Sequence, residues 1–234
     1  MAVRPVFTVS LDERLCVKRD VEFTFYSGFS DAQKKRCVRS LHQAYLEEAP
    51  DARVLEVSSR SEEELGVRLS AFNLMMTWGN GARISVESAF QGSKVFEQGG
   101  PYRDLWGKSS RDAKRDPRLR SSGSVVGFQF GDKRFACEPK TFFYDWLYIH
   151  TLAQEGNAAL AEGILAYDAF TDIEFNPKRS INCQAEAAAI FVSLSRQGLL
   201  RDALESEDGF REIVFQGVAS ETAADPAGGQ GHLF

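Results

Sequence analysis

The chain is poor in the residues that build metal centres and disulfide frameworks. It holds three histidines (His42, His150, His232) and four cysteines (Cys16, Cys37, Cys137, Cys183), with no CxxC pair. That set argues against a structural zinc site and makes a reducing cytoplasm the expected compartment. No stretch reaches 18 uncharged apolar residues, and Met1 to Leu15 carries acids and bases where a secretory leader needs an apolar run. Neither a membrane span nor a leader is expected. GxGxxG, Walker A, GxSxG and HExxH patterns are missing, which removes the usual support for nucleotide-cofactor, serine-hydrolase and zincin chemistry. There is no internal repeat. Bulk positive charge is absent too: 28 Lys and Arg face 33 Asp and Glu, a net charge of −5. The surface as a whole does not attract nucleic acid, which leaves a local basic patch as the electrostatic route to it.

What is present is a core. The 234 residues are 43% hydrophobic with 18 phenylalanines, enough for one large domain or a domain with an extension. Val21, Phe23 and Phe25 alternate with Glu22, Thr24 and Tyr26, which predicts a half-buried strand. Ser30 with Gln33 forms a capping box for a helix that ends before Pro50. Arg53 to Val57 reads as a second strand, and the Glu run from Ser61 as a short helix ending near Gly66. Ser85 caps a helix through Val86 to Glu97, stopped by Gly99-Gly100-Pro101. Apolar helices follow Pro139 and Gly156, with Trp146 and His150 assigned to the core. Ser180 or Asn182 caps a last strong helix through Ala185 to Ser195, closed by Gly198. The Gly79-Asn80-Gly81 turn is either a phosphate cradle or an ordinary tight turn.

On the helix after Ser85, Glu87, Gln91 and Lys94 fall at i, i+4 and i+7, within about 60° of one another around the axis. Phe90, Val86 and Val95 border them. The stripe is either the polar wall of a partly apolar pocket or a solvated helix face, and spacing alone leaves both open.

Leu69-Ser70-Ala71-Phe72-Asn73, followed by Ser85-Val86-Glu87-Ser88-Ala89-Phe90-Gln91-Gly92-Ser93-Lys94, resembles the signature of NADAR domains. Phe25-Tyr26-Ser27-Gly28-Phe29, Gly99-Gly100-Pro101-Tyr102, Ala113 to Arg118, Phe142 to Leu147, Phe170 to Pro177 and Asn182-Cys183-Gln184-Ala185 resemble the subgroup associated with DarT-type DNA ADP-ribosyltransferase toxins. The general pattern carries a D-x-x-W-G-x-G segment near its end. Here Asp168 to Asp172 and Asn176-Pro177 stand in the comparable region without the Trp-Gly. The resemblance implies an α+β, predominantly helical single-domain NADAR (YbiA-like) core over residues 67–218. An N-terminal α/β extension (1–66) packs on it, and 219–234 form a disordered tail.

It also implies an antitoxin hydrolase that removes ADP-ribose from guanine in DNA with no cofactor and no metal, its functional partner being the cognate toxin. Cleaving that glycosylamine passes through a cationic anomeric carbon, which a carboxylate suits. Glu87 and Lys94 are the expected catalytic pair, with Lys94 forming a Schiff base if unprotonated or binding pyrophosphate if charged. Ser70, Phe72, Gln91, Asp172, Asn176 and Asn182 are expected to bind ADP-ribose. Arg103 to Arg120 holds seven bases against three acids, so Lys114, Arg115 and Arg118 are expected on the DNA. Two further readings keep the pocket: a non-catalytic binder of ADP-ribosyl groups or of the toxin, and an N-glycosidase acting on a small metabolite.

Overall fold

The computed structural model describes residues 1–79 and 81–222. The chain starts with a hairpin, β1 (Ala2–Val9) against β2 (Cys16–Phe23), paired from Ala2↔Phe23 to Val9↔Cys16. The alternation around Val21 marks β2, but the strand stops at Phe23. There the backbone turns to side chains instead: Thr24 N–H donates to Ser40 Oγ and Tyr26 N–H to Cys37 Sγ. Both acceptors lie on α1 (Asp31–Glu48), whose N-cap Ser30 accepts from Gln33 N–H as the capping box predicts.

β3 (Val54–Glu56) and α2 (Glu64–Leu69) follow, then a hairpin of β4 (Met75–Thr77) and β5 (Arg83–Ser85). Gly81 N–H donates to Trp78 O in its turn, so this is a hairpin connection, with Asn80 outside the described residues. Next come α3 (Val86–Ser93), β6 (Lys94–Phe96), a 3-10 turn at Arg103–Gly107, α4 (Ser110–Arg115) and α5 (Arg118–Ser121). β7 (Val125–Phe130) and β8 (Lys133–Phe135) complete a three-stranded antiparallel sheet with β6. The chain closes with α6 (Phe142–Leu152), α7 (Ala158–Ile164), β9 (Ala169–Thr171), α8 (Gln184–Arg196), α9 (Leu200–Glu205) and α10 (Glu207–Thr222).

The main sheet has the order β2-β1-β9-β3. β9 lies antiparallel to β1 and parallel to β3, with Phe170 opposite both Phe7 and Leu55. Alternation sorts the faces. Val6, Val21, Phe23 and Ala169 pack under α1 with Cys37, Val38, Leu41 and Tyr45, while Phe7, Leu55 and Phe170 join the larger core with α6 and α8. The sheet thus joins three strands from before residue 66 to one, β9, from residues 169–171.

α6 is buried on nearly every side, and its Phe143 stacks on Phe128 at 4.7 Å. Trp146 and His150 belong to this core, their ring centroids 4.0 Å apart. Two helix ends differ from the sequence expectation. α8 has Cys183 at its N-cap with no side-chain cap, so neither Ser180 nor Asn182 caps it. α10 runs to Thr222, past the expected start of the tail at 219, and residues 223–234 of that tail lie outside the described residues.

Candidate active site

α3 starts where Ser85 accepts from Ser88 N–H at 3.1 Å, and every residue of the helix is buried. Its first turn is locked by a serine cluster. Ser110 Oγ lies 2.7 Å from both Ser85 Oγ and the Phe72 carbonyl, which joins the N-terminus of α4 to α3 and to the 70–74 turn. The helix ends sooner than Glu97, because Lys94 is already extended and pairs with Phe128 on β7. Gly100, at φ +80°, lies against this corner, where a Cβ would stand 2.3 Å from the Lys94 carbonyl oxygen.

The predicted stripe survives the early ending. Glu87, 5% exposed, accepts from Gln91 Nε2 at 2.9 Å. Lys94 places Nζ 4.8 Å from the centre of the Phe90 ring, and that ring stacks on Phe128 and meets Tyr144 edge-on. Burial among these groups lowers the Lys94 ammonium to about 8; Glu87 opposes the shift and Lys114 adds to it. About a tenth of the amine is thus neutral at pH 7, seven residues along the chain from the Glu87 carboxylate.

Lys114, expected on DNA, is the third charge of this cluster. Its Nζ is 3.4 Å from Glu87 Oε1 and 5.0 Å from the centre of the Phe72 ring. Phe72 is half-buried and forms a wall beside that cation. Gln91, Phe72 and Lys114 thus gather around Glu87 and Lys94.

The other candidates divide. Ser70 is turned into the backbone, donating to the Val67 carbonyl at 2.8 Å, and closes a turn. Asp172 accepts from the Glu174 and Phe175 N–H groups and from Gln184 Nε2. Gln184 Oε1 in turn accepts from Ala71 N–H at 2.7 Å, and the Ala71 carbonyl accepts from Glu87 N–H at 2.9 Å. Three hydrogen bonds thus link Asp172 through Gln184 and Ala71 to the backbone of Glu87. Asn176 closes its own turn, its Oδ1 accepting from Lys178 N–H at 3.0 Å. Asn182 keeps a buried Oδ1 with no hydrogen-bond partner, an acceptor left for another donor. Arg118 is spent internally: it bonds Asp104 and Asp116 and lies 4.4 Å from the Tyr102 ring centre. Arg115 stays exposed.

Two residues escaped the site reading. Tyr144 is buried with its ring against Phe90, and its phenol is held protonated, mainly by burial and then by Glu87. Gln184 links Asp172 to Ala71. Both stand inside these motifs, but no helical period groups them with Glu87, because α6 meets α3, and Gln184 meets Ala71, only in the fold.

Among the described residues no group of three or more His, Cys, Asp or Glu side chains is gathered to hold a metal ion. No helix among them is long and apolar enough to cross a membrane. No curated protein matches the chain. The model of one family, described as DarT1-associated NADAR antitoxin, matches residues 2–224. The match takes in the hairpin β1–β2 as well as the α3 site, and the chain belongs to the DarT1-associated NADAR antitoxins.

Proposed function

We propose that this antitoxin is an N-glycosidase that removes ADP-ribose from guanine bases of DNA, with no metal or cofactor, and acts in the cytoplasm against the product of its toxin. The observation that carries the reading is the Lys94 amine, lowered to about 8 and held over Phe90 beside the buried Glu87. A neutral amine is a nucleophile and a buried carboxylate is a proton carrier; the glycosylamine link between ribose and guanine needs both.

In the proposed sequence the ribose ring opens to the imine of the guanine amino group. Lys94 Nζ adds to the anomeric carbon, and the guanine nitrogen takes a proton and leaves with the electron pair of the broken C–N bond. The imine that remains on Lys94 is hydrolysed when water adds to the same carbon. Glu87 takes a proton of that water and passes it to Nζ, the bond from the carbon to Nζ breaks with its electron pair on the nitrogen, and free ADP-ribose departs. Gln91 holds the Glu87 carboxylate in one orientation. Lys114 offsets its charge and is placed to meet a phosphate, while Phe72 offers a ring and Asn182 an acceptor to the nucleotide. Arg115 is the remaining contact to the DNA strand from α4.

The test is release of ADP-ribose from a single-stranded oligonucleotide carrying ADP-ribosylated guanine, in the presence of a strong chelator. Release is expected. Binding without release would make the protein a non-catalytic reader, and release only from a small N-glycoside would move the chemistry to a metabolite.

A further inference from the structure

Both exposed phenylalanines among the described residues stand in one short loop. Phe29 is 99% exposed and Phe25 45%, on the segment that leaves β2 and runs down α1 to its N-cap. Between them Tyr26 carries the Arg36 guanidinium 4.0 Å from its ring centre. Burying two such side chains in the core next to them would gain stability, so their exposure sets a surface aside.

That surface is basic and fixed. Lys34 reaches Glu174 at 3.2 Å, and Arg60 reaches both Asp31 and Glu174. These pairs clamp the N-terminal end of α1 to the loop between β9 and α8. The same loop continues into Lys178 and Arg179, both exposed and making no ion pair among the described residues, and into Ile181, 59% exposed. Six cations (Lys34, Lys35, Arg36, Arg60, Lys178, Arg179) here meet two acids, Asp31 and Glu174, in a chain whose net charge is −5.

We propose that loop 24–30 and loop 174–181 together bind single-stranded DNA flanking the modified base, its bases stacking on Phe25 and Phe29 and its phosphates meeting Lys178 and Arg179. Exposed rings interleaved with unpaired cations are what a single strand requires, since every base offers a face to stack and every nucleotide a charge. The local excess of cations favours this occupant over an acid-poor protein surface. The inference rests on the proposed activity for its biological meaning. Its geometry joins the two: Asp172, which sets the Ala71–Glu87 backbone through Gln184, begins the loop that ends in the basic patch.

The experiment measures binding of the full chain to an unmodified, fluorescein-labelled oligothymidine by anisotropy across a salt series. That ligand has no scissile bond, so its outcome is separate from whether ADP-ribose is released. The double variant F25A/F29A is expected to weaken binding at least ~5-fold. The double variant K178A/R179A is expected to flatten the slope of log affinity against log salt by roughly 1.4. Both should keep the wild-type melting curve, because none of these side chains is in the core. Wild-type affinity and slope in both variants would overturn the proposal. So would unchanged DNA binding with lost association between F25A/F29A and the toxin, which would make the patch a protein-docking face.

Discussion

Lys114 Nζ lies 3.4 Å from Glu87 Oε1, so a half-exposed cation from α4 caps a carboxylate buried on α3. The same ammonium lowers the Lys94 pKa by like-charge repulsion. Replacing Lys114 with Ala removes that repulsion and raises the Lys94 pKa. The inflection of the pH–rate profile should then move to higher pH, with at least ~2-fold loss of rate at pH 7. Rates across pH 6–10 check this, and an unmoved inflection would separate Lys114 from the reacting amine.

In the proposed reaction Lys94 acts as the neutral amine, and burial lowers its ammonium to about 8. Turnover should therefore fall about tenfold per pH unit below that value and level off above it. Borohydride added during turnover should trap an ADP-ribosyl group on Lys94, and Lys94→Ala should show no adduct. Lys94→Ala and Glu87→Gln are each expected to cut turnover at least ~10²-fold without unfolding the chain. In Glu87→Gln the amide oxygen still accepts from Gln91, so a folded but inactive protein is the diagnostic outcome.

Asp172 sits in the interior close to Glu56, and burial first, then that neighbouring carboxylate, raises it from 3.8 to about 8. Its folded-state pKa is above the unfolded one. Between pH 4 and pH 8 the folded chain keeps a proton that the unfolded chain has lost, so its contribution to stability is full at the acid end and lost as pH rises through about 8. Urea unfolding at pH 5, 7 and 9 should show this decline, and Asp172→Asn should flatten it. A decline as steep in the variant would assign it to other groups.

Tyr144 remains a hydrogen-bond donor across the working range, because burial raises its phenol. Its hydroxyl bonds no other described residue, so Tyr144→Phe leaves no partner orphaned and should keep the melting temperature. A drop of roughly 3- to 10-fold in turnover is expected if the phenol meets substrate or Glu87 during the reaction. Unchanged turnover would leave Tyr144 to packing alone.

Arg118 and Arg115 should separate cleanly. Arg118→Ala removes the main partner of Asp116, whose carboxyl Arg118 holds well below the usual range, and leaves it Lys108 at 3.0 Å, so the melting temperature should fall. Arg115→Ala should leave stability alone and flatten the salt dependence of oligonucleotide binding by roughly 0.7. Thermal melts and anisotropy distinguish the two.

Local signals were legible wherever one residue decides a local geometry. Ser30 and Ser85 cap their helices, and Glu87, Gln91 and Lys94 converge as their spacing predicts. β1 was missed because Arg4 and Pro5 break the alternation in a strand held by two partners, β2 and β9. Charge counting along Arg103–Arg120 does not show that Lys114 lies against Glu87. Nor does it show that Arg118 pairs with Asp104 and Asp116 of the same run. Asp172, Gln184 and Ala71 form a relay with no sequence period, since its members come from three separate elements.

The insertion of β9 between β1 and β3 also sets an order of events during synthesis. Thr171 donates to Glu56 across a separation of 115 residues, so at 5–20 residues per second the N-terminal strands wait roughly 6–23 s for their inner neighbour to be made. During that interval β1 and β3 carry open edges and the Glu56 carboxyl lacks its Thr171 and Ile173 donors. Loops 24–30 and 174–181, the two halves of the proposed DNA surface, lie on either side of that gap in the chain, and α3 lies within it. A nascent antitoxin therefore acquires surface and site together, only after the strand at 169–171 has arrived.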